Sequence, residues 1–234
     1  MCDNDYINFS ELIFLKVLFE DKFIIIVEKP ASVLSEPDGK GEDIVTMASA
    51  HVCKPCFLVH RLDRNTGGAM VLSKMQKATG KLSEAIQKRE FEKEYIAVIK
   101  GVPEEQEGVY KDLLFKDSQK NKTFVVKRER KGVKEASLEY KVLSTAEHPE
   151  HGKISLVLIK LHTGRTHQIR VQFASRKMPL LGDGKYGSRD NHCETALWSR
   201  RLAFKHPITG ENIEAVSMPP EEYPWNLFDI DSLL

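Results

Sequence analysis

The chain has 234 residues, of which 41% are hydrophobic and 29% are charged, so it is long enough to bury a substantial core. Its formal net charge of +1 excludes a uniformly basic nucleic-acid binder, although a basic face could be balanced by acid elsewhere. The apolar run from Leu12 to Phe19 is short and is interrupted by Lys16, so neither a secretory signal nor a membrane span is predicted. We therefore expect a cytoplasmic protein.

The cysteines point to a reducing compartment. Cys2, Cys53, Cys56 and Cys193 are too few and too scattered for a disulfide framework. Cys53 and Cys56 form one CxxC pair beside His51, but no second pair of zinc ligands follows at a suitable spacing. Reduced thiols are therefore expected, and no metal site is predicted.

The first half of the chain alternates between strand and helix signals. The β-branched run from Phe23 to Val27 predicts a buried strand, and Ala31 to Gly41 predicts a loop. Apolar residues three or four apart from Lys74 to Arg89 predict an amphipathic helix with a basic outer face. Phe91 to Ile99 returns to the two-residue period of a strand.

The second half reads mainly as strands. Ile154 to Leu161 is apolar on both faces, which predicts a central strand, and a helix should begin near Thr163 and run to about Arg176. Without repeats or a linker, the whole chain reads as one α+β domain with a largely antiparallel sheet. The other predicted strands are Lys122 to Arg128, Ala136 to Val142, Trp198 to Phe204 and Asn212 to Val216.

The segment from His60 to Gly68, with the sequence HRLDRNTGG, is the first that suggests chemistry. Asp63 stands between Arg61 and Arg64, and two glycines at the end of the segment allow a tight turn. An ionised carboxylate in this setting can serve as a nucleophile. The alternative is a surface loop with local ion pairs.

Two later segments add candidates. Lys93 and Tyr95 point to one side of their predicted strand, where the tyrosine offers a ring and a hydroxyl, or simply packs at the edge of the core. A central strand then delivers Gly164 and Arg165 to a helix start, which can aim a cation into a cleft.

Other site types fit the sequence poorly. His162 and His167 are five residues apart with no acid between them, unlike the zinc-binding helix of a hydrolase. No GxxxxGK[ST] phosphate loop occurs, and Gly182 to Lys185 is better explained as a turn. We therefore predict no nucleotide cofactor.

Four motifs follow one another along the chain: HRLDRNTGG, KEYIAVIKG, LHTGRTHQIRVQFA and MPLLGDGKYG. Together they resemble the successive signatures of the RluA family of pseudouridine synthases. VEKPASVLSEP resembles the early strand and loop of that family, and RLAFKHPITGE resembles its closing hairpin. The resemblance runs from about Leu15 to Met218.

The resemblance assigns roles to individual residues. It implies that Asp63 is the essential catalytic acid, that Tyr95 is the active-site tyrosine and that Arg165 pairs with the Asp63 carboxylate. It also implies that Arg61 fills the gap left in the RNA stack by a flipped uridine. The remaining expected substrate-binding residues are Arg64, Lys93, Leu161, Thr163 and His167.

Three residues depart from the usual family pattern. Asn65 and Gly67 stand where the family usually has Asp and Ser, and Ser32 stands where a Gly is usual. These departures concern the local bonding of the loops more than the reaction, because none of them replaces Asp63, Tyr95 or Arg165.

The resemblance also implies a fold and a partner. The expected fold is α+β, with a mixed, mostly antiparallel central sheet flanked by helices and loops and an active-site cleft across the sheet. We expect one catalytic domain over residues 1–234, with a core of about 15–218 and no S4 domain. The expected enzyme is a monomer that needs no cofactor or metal and acts on uridine in structured ribosomal or transfer RNA. The basic residues of 74–89 and 120–134 are candidate phosphate contacts.

Several alternatives remain open at this stage. The chain could be a non-catalytic RNA-binding protein of the same fold, or a metal-dependent hydrolase that uses His60, His162 and His167. If it is an enzyme, Asp63 could attack C1′ to form a sugar ester, or it could remove the C2′ proton to give a glycal. The sequence does not choose between these routes or name the target uridine.

Overall fold

The computed structural model describes residues 15–39 and 41–234. Cys2, the beginning of the apolar run Leu12 to Phe19 and the predicted N-terminal tail lie outside the described residues, as does Lys40 in the first loop. No helix in the described part of the chain has the length and apolar character needed to cross a membrane.

One sheet of eleven strands dominates the described residues. Its strands are β1 (Lys16–Glu20), β2 (Ile24–Lys29), β3 (Phe57–Leu58), β4 (Gly67–Ser73), β5 (Glu92–Lys100), β6 (Glu107–Asp117), β7 (Lys122–Val126), β8 (Val133–His148), β9 (Gly152–Leu161), β10 (Leu197–Lys205) and β11 (Asn212–Val216).

The strand order is β1-β2-β4-β10-β5-β9-β8-β6-β7, with β3 paired to β4 and β11 paired to β10. The pairing of β4 with β10 is parallel and covers only Gly67 and Gly68 opposite Trp198 and Ser199, whereas the other strand pairs are antiparallel. The predicted α+β class with a mixed, mostly antiparallel sheet is therefore confirmed.

Four helices accompany the sheet within the described residues: α1 (Ile44–Val52), α2 (Gln76–Gln87), α3 (Gln168–Ser175) and α4 (Ile230–Leu233). The Asp43 side chain caps α1 by accepting a hydrogen bond from the Thr46 backbone N–H at 2.8 Å. The predicted strands and the basic helix all occur, with shifted ends. Helix α1 and strand β6 were not predicted because neither has a distinct apolar period.

Helix α3 begins five residues later than the sequence indicates. The expected start at Thr163 is wrong, because Thr163 lies in a turn where its Oγ1 donates to Gln168 Oε1 at 2.7 Å. The helix is preceded instead by His167, whose φ of 53° lies in the left-handed region. This local conformation brings the His167 ring close to the functional site described below.

Alternating side chains of β2 and β4 supply two hydrophobic clusters. Ile25 and Met70 belong to the cluster that also contains Tyr95 and Leu62. Side chains on the other face of these strands, such as Ile24 and Val71, belong to a second cluster that includes Ala78 and Leu82 of α2. Burying each large aliphatic side chain contributes about 1.5–3 kcal/mol. Helix α2 therefore packs on the face of these strands opposite to the Tyr95 cluster.

Candidate active site

Asp63 lies in the loop that leads into β4, at the parallel junction with β10. The Thr66 backbone N–H closes this loop by donating to the Asp63 carbonyl at 3.0 Å. Gly68 then adopts a φ of +109°, and a Cβ there would lie 2.3 Å from the Ser199 carbonyl oxygen. The junction therefore requires glycine, and the glycine pair fixes where the Asp63 loop ends and β4 begins.

The loop before Asp63 is anchored by a buried hydroxyl. The Ser35 Oγ donates to the Leu62 carbonyl at 2.7 Å and accepts from the Leu62 N–H at 3.0 Å. Both backbone groups of the residue next to Asp63 are thus satisfied by one side chain. This contact restricts the backbone that carries the carboxylate.

The loop after Asp63 is anchored by a buried ammonium group. The Lys29 Nζ donates to the carbonyls of Pro30 at 2.8 Å, Val33 at 2.7 Å and Arg64 at 3.1 Å. Burial lowers the pKa of Lys29 to about 7, and the nearby Asp63 carboxylate opposes that shift. Lys29 therefore ties the first loop to the Asp63 loop and adds a titratable group behind the carboxylate.

The cation paired with Asp63 is Arg170 of α3. Its Nη1 lies 2.8 Å from Asp63 Oδ2, while its Nε and Nη2 donate to Asp183 Oδ2 and Oδ1 at 2.7 and 2.8 Å. Burial alone would lower the pKa of Arg170, but the hydrogen bonds and charge of Asp183, together with Asp63, raise it overall. The guanidinium is thus fixed in place by one carboxylate and presented to the other.

The expected pairing of Arg165 with Asp63 is therefore wrong. Arg165 is exposed in the turn before α3, and its Nε donates to the Glu135 carbonyl at 2.9 Å. Because the helix begins at Gln168, the third helical residue, and not the turn residue, faces the carboxylate. Two features of the sequence could have indicated Arg170. It is a charged residue in a helix that is otherwise largely buried, and Asp183, between two glycines, is available to pair with it.

A histidine and a tyrosine complete one wall of the site. The Tyr186 hydroxyl accepts from the Thr123 N–H at 2.9 Å and lies 2.9 Å from His167 Nδ1. Either of these two atoms can be the donor, and the other ring nitrogen, Nε2, lies 3.9 Å from Asp63 Oδ2. Burial lowers the pKa of His167, in keeping with a neutral ring.

Tyr95 occupies the adjacent position on β5, with 5% of its surface exposed. Burial raises the pKa of its phenol and the Asp63 charge raises it further, while a hydrogen bond with Ser199 opposes these effects. The phenol is therefore neutral at physiological pH. Leu161, which packs against the same hydrophobic cluster, is partly buried at the end of β9.

This geometry can be compared with known proteins. A model of the RNA pseudouridylate synthase family matches residues 23–175. An uncharacterized RNA pseudouridine synthase of Aquifex aeolicus is 34% identical, over 84% of this chain and 67% of that protein. The ribosomal large subunit pseudouridine synthase D of Vibrio cholerae is 33% identical, over 89% of this chain and 68% of that protein. The chain belongs to the RNA pseudouridylate synthase family.

The relatives place it in the RluA group of that family, as the sequence motifs indicate. A solved human structure, RNA Pseudouridylate Synthase Domain Containing 1, has the same fold, with a TM-score of 0.75. It is 21% identical and the match covers 89% of this chain and 85% of the human chain. The pseudouridine synthase is thus an isomerase acting on RNA, and the two alternative functions are not favoured.

The remaining predicted substrate-binding residues of the pseudouridine synthase differ in their surroundings. Arg61 is exposed and its guanidinium pairs with Glu36. The Arg64 Nε donates to the Ser32 carbonyl at 3.1 Å. Lys93 lies with its Nζ 5.2 Å from the centroid of the Phe91 ring. Arg61 is therefore on the surface in an ion pair, Lys93 packs on an aromatic ring, and Arg64 is tied to the neighbouring loop.

Thr163 has a structural contact. Its Oγ1 accepts from the Ser137 N–H at 2.9 Å and donates to Gln168 Oε1. Gln168 in turn donates from Nε2 to the Ser137 carbonyl at 3.0 Å. This small network joins the end of β9 to β8, so Thr163 supports the turn before α3.

The histidines considered for a metal-dependent hydrolase do not converge. His60 is buried and accepts from the Val71 N–H through Nε2 at 3.3 Å, whereas His162 lies beside Glu139. Across residues 15–39 and 41–234, no cluster of three or more His, Cys, Asp or Glu side chains is arranged to hold a metal. Cys53 is exposed and Cys56 is buried.

The structure explains two of the three residues that differ from the usual family pattern. Ser32 has a φ of +70°, a conformation that favours glycine, which accounts for the usual family residue. A Cβ on Gly67 would lie 2.1 Å from the Trp198 ring, so this glycine accommodates the indole. Asn65 is partly buried beside them, and nothing in the structure explains its choice.

Proposed function

We propose that this chain is one catalytic domain that converts specific uridines of structured ribosomal or transfer RNA to pseudouridine, with Asp63 as the catalytic carboxylate. The observation that carries this proposal is the Asp63 carboxylate held by Arg170 beside the neutral phenol of Tyr95. The proposed enzyme acts in the cytoplasm as a monomer without a cofactor. The relatives named for the large ribosomal subunit favour ribosomal RNA as the substrate.

The reaction requires the base to be detached and rejoined. The N1–C1′ bond breaks with its electron pair on the uracil, the base rotates, and C5 bonds to C1′. C5 then loses its proton and N1 gains one, so the product is an isomer of the substrate. The uracil must stay bound between these steps, and a site that excludes water prevents its loss.

Asp63 can serve the reaction by either of two routes. Its carboxylate can attack C1′ to form a sugar ester, which C5 later displaces, or it can remove the C2′ proton to give a glycal. Both routes use a carboxylate at a fixed position, and the hydrogen bond from Arg170 restrains the Asp63 side chain. The second ion pair of Arg170, with Asp183, holds the guanidinium that contacts Asp63 in place.

The target uridine must leave the RNA stack to reach Asp63. Extruding a nucleotide costs a few kcal/mol, less when it is already in a loop. The buried Tyr95 phenol borders the carboxylate that the extruded base must reach, while Arg61 on the exposed loop can stack in the vacated position. Releasing Arg61 for this role requires breaking its exposed ion pair with Glu36.

Pseudouridine mapping of total RNA tests the proposal. RNA from a strain lacking the gene should lose one or a few pseudouridines that are present in the parent, and the position of each loss names the RNA. Expression of the wild-type protein should restore the lost sites. An identical map in the two strains would contradict the proposed activity.

The Asp63→Asn variant then tests the catalytic assignment. Replacing the carboxylate should reduce pseudouridine formation by about 10⁴-fold or more, because an uncharged amide can neither attack C1′ nor remove a proton effectively. RNA affinity should change less than threefold, since phosphate contacts supply most of it. Normal product formation by Asp63→Asn would exclude Asp63 as the catalytic group.

A further inference from the structure

Tyr186 lies beside two of the residues that surround Asp63, although no hydrogen bond within the described part of the chain joins it to Asp63 itself. It ends the short 3₁₀ turn Gly184–Tyr186, which directly follows Asp183. The Tyr186 backbone N–H donates to the Asp183 carbonyl at 3.1 Å, and the Asp183 carboxylate holds Arg170 through two hydrogen bonds. One short turn therefore carries both the tyrosine and the carboxylate that fixes Arg170.

The Tyr186 hydroxyl is connected to Asp63 through a single histidine ring. The hydroxyl oxygen accepts from the Thr123 N–H at 2.9 Å and lies 2.9 Å from His167 Nδ1. The opposite nitrogen of that ring, Nε2, lies 3.9 Å from Asp63 Oδ2. Tyr186 thus contacts one end of the imidazole, and the other end faces the carboxylate.

The aromatic ring of Tyr186 provides a second connection. The guanidinium carbon of Arg170 lies 5.3 Å from the ring centroid, and the Lys122 Nζ lies 5.0 Å from it. Cations at such distances are attracted to the face of an aromatic ring. Arg170 donates to Asp63 Oδ2 at 2.8 Å, so the connections through His167 and through Arg170 lead to the same carboxylate oxygen.

Strand β7 supports Tyr186 and the segment that carries His167. Thr123, with 2% of its surface exposed, donates its N–H to Tyr186 and its Oγ1 to the Thr166 carbonyl at 2.9 Å. His167 itself has a φ of 53°, a left-handed conformation that is costly for a residue with a Cβ and persists where the surroundings enforce it. The contacts from β7 and Tyr186 are of the kind that enforce it, and such conformations cluster at functional sites.

We propose that Tyr186 is a positioning residue for the isomerisation. Its hydroxyl orients the His167 ring and its aromatic ring supports the Arg170 guanidinium, so that together they hold the Asp63 carboxylate in the reactive position. This inference rests on the proposed function of Asp63. Because misplacing a reacting group by about 1 Å can cost a hundredfold in rate, the loss of Tyr186 should appear in kcat rather than in the KM for RNA.

The Tyr186→Phe variant tests this role, because it keeps the aromatic ring and removes the hydroxyl. With the mapped target RNA as substrate, kcat should fall about tenfold while the KM changes less than twofold, as expected when an interaction that serves the transition state is lost. Tyr186→Leu removes the ring as well and should lower kcat about a hundredfold.

Nuclear magnetic resonance of protein labelled with ¹⁵N-histidine reports on the imidazole directly. The His167 ring, assigned by loss of its signals in His167→Gln, should occupy one neutral tautomer in the wild type, because Nδ1 has a fixed partner. In Tyr186→Phe the signals should average over both tautomers. An unchanged tautomer in Tyr186→Phe would overturn the inference.

The matched control is Tyr223→Phe. The Tyr223 hydroxyl also contacts a histidine, His148 at Nε2 and 3.2 Å, and it donates to Asp190, but neither partner contacts Asp63 within the described residues. Both Phe variants lose one partly buried hydroxyl, so their melting temperatures should fall by similar amounts. Only Tyr186→Phe should lose kcat.

Three kinetic outcomes would overturn the inference: an unchanged kcat in Tyr186→Phe, an equal loss of kcat in Tyr223→Phe, or a higher KM with unchanged kcat, which would make Tyr186 an RNA contact instead. If the wild type makes no pseudouridine, the proposed function fails. The tautomer measurement still decides in that case whether the Tyr186 hydroxyl orients His167.

Discussion

The surroundings of Asp63 and the basic hairpin, formed by β6 and β7 together with the loop that leads on to β8, use charge in opposite ways. Around Asp63, Arg170 and Asp183 are buried and joined by direct hydrogen bonds. In the loop between β7 and β8, Lys127 and Arg128 are exposed to solvent. The first arrangement holds one carboxylate in a defined position, whereas the second offers positive charge without a fixed geometry.

This difference suits the Asp63 region to catalysis and the basic hairpin to RNA binding. A reaction at C1′ needs a group held at one position, because misplacement by about 1 Å can cost a hundredfold in rate. Phosphate binding tolerates movement, since its free energy comes largely from released counterions. The hairpin also lies near the site, because the Thr123 Oγ1 on β7 donates to the Thr166 carbonyl at 2.9 Å.

Arg165 belongs to the second region although it lies in the same motif as Arg170. It is exposed and bonded to the β8 backbone, and its guanidinium faces the basic hairpin rather than the carboxylate. Two arginines five residues apart thus serve different regions. Substituting Arg165 and Arg170 one at a time therefore tests whether the two regions have separate roles in binding and catalysis.

The largest difference should come from Arg170→Met. Removing the cation that holds Asp63 should lower kcat by about a hundredfold or more, the effect of removing a preorganised electrostatic interaction. It should also reduce the free energy of unfolding by about 3–5 kcal/mol, because the buried Asp183 carboxylate loses its partner. Single-turnover assays and urea unfolding measure the two effects.

Two further variants control for this result. Arg170→Met combined with Asp183→Asn removes both buried charges, so stability should recover while kcat stays low. Arg165→Met should weaken RNA binding and keep kcat within about threefold of the wild type. If Arg165→Met abolished turnover and Arg170→Met did not, the ion pair described here would not be the one used in catalysis.

The sequence predicts the fold better than the pairing of charges. Strand β9 is apolar on both faces and is correctly predicted as a central strand, since burial on both sides leaves an unambiguous pattern. Asp63 and Tyr95, each predicted from a short motif, lie near each other in the structure, and their catalytic roles stay predictions. The basic helix α2 is predicted too, but it packs on the face opposite to the Tyr95 cluster.

The ion-pair partner of Asp63 was predicted wrongly because the partner depends on the residue at which α3 begins. A start at Thr163 would have directed Arg165 inward, whereas the observed start at Gln168 directs Arg170 inward instead. Lys29 is missed for another reason, since its partners are carbonyl oxygens of a loop and a loop conformation leaves no period in the sequence. Both errors arise from local backbone geometry that residue types do not specify.

A smaller and different effect is expected in the basic hairpin. Replacing Lys127, Arg128 and Lys131 with Glu should reduce RNA affinity by about tenfold at moderate salt and flatten its salt dependence by about 0.7 for each phosphate that the hairpin no longer neutralises. The single-turnover rate at saturating RNA should stay within about twofold, because none of these three residues touches Asp63. Fluorescence titrations at several salt concentrations measure the slope.

The hairpin test has a matched control at the other end of the sheet. Lys153→Glu at the start of β9 introduces the same reversal on an exposed lysine distant from Tyr95, and it should leave the salt slope unchanged. A steep slope retained by the triple variant would show that the phosphate contacts lie elsewhere. A lower saturating rate would show instead that the hairpin takes part in forming the catalytic site.

The smallest effect is expected at the exposed ion pair of Arg61 and Glu36, which lies in the loops next to Asp63. Glu36 pairs with the Arg61 guanidinium, which is proposed to bind RNA. Glu36→Gln should therefore lower the KM for RNA about twofold at low salt, because exposed ion pairs contribute little free energy. The advantage should vanish at high salt, where the pair is already screened. Glu42→Gln removes the same charge from an exposed position in the same loop without contacting Arg61 and should leave the KM unchanged. A higher KM in Glu36→Gln would mean that Glu36 orients Arg61 for RNA instead of competing with it.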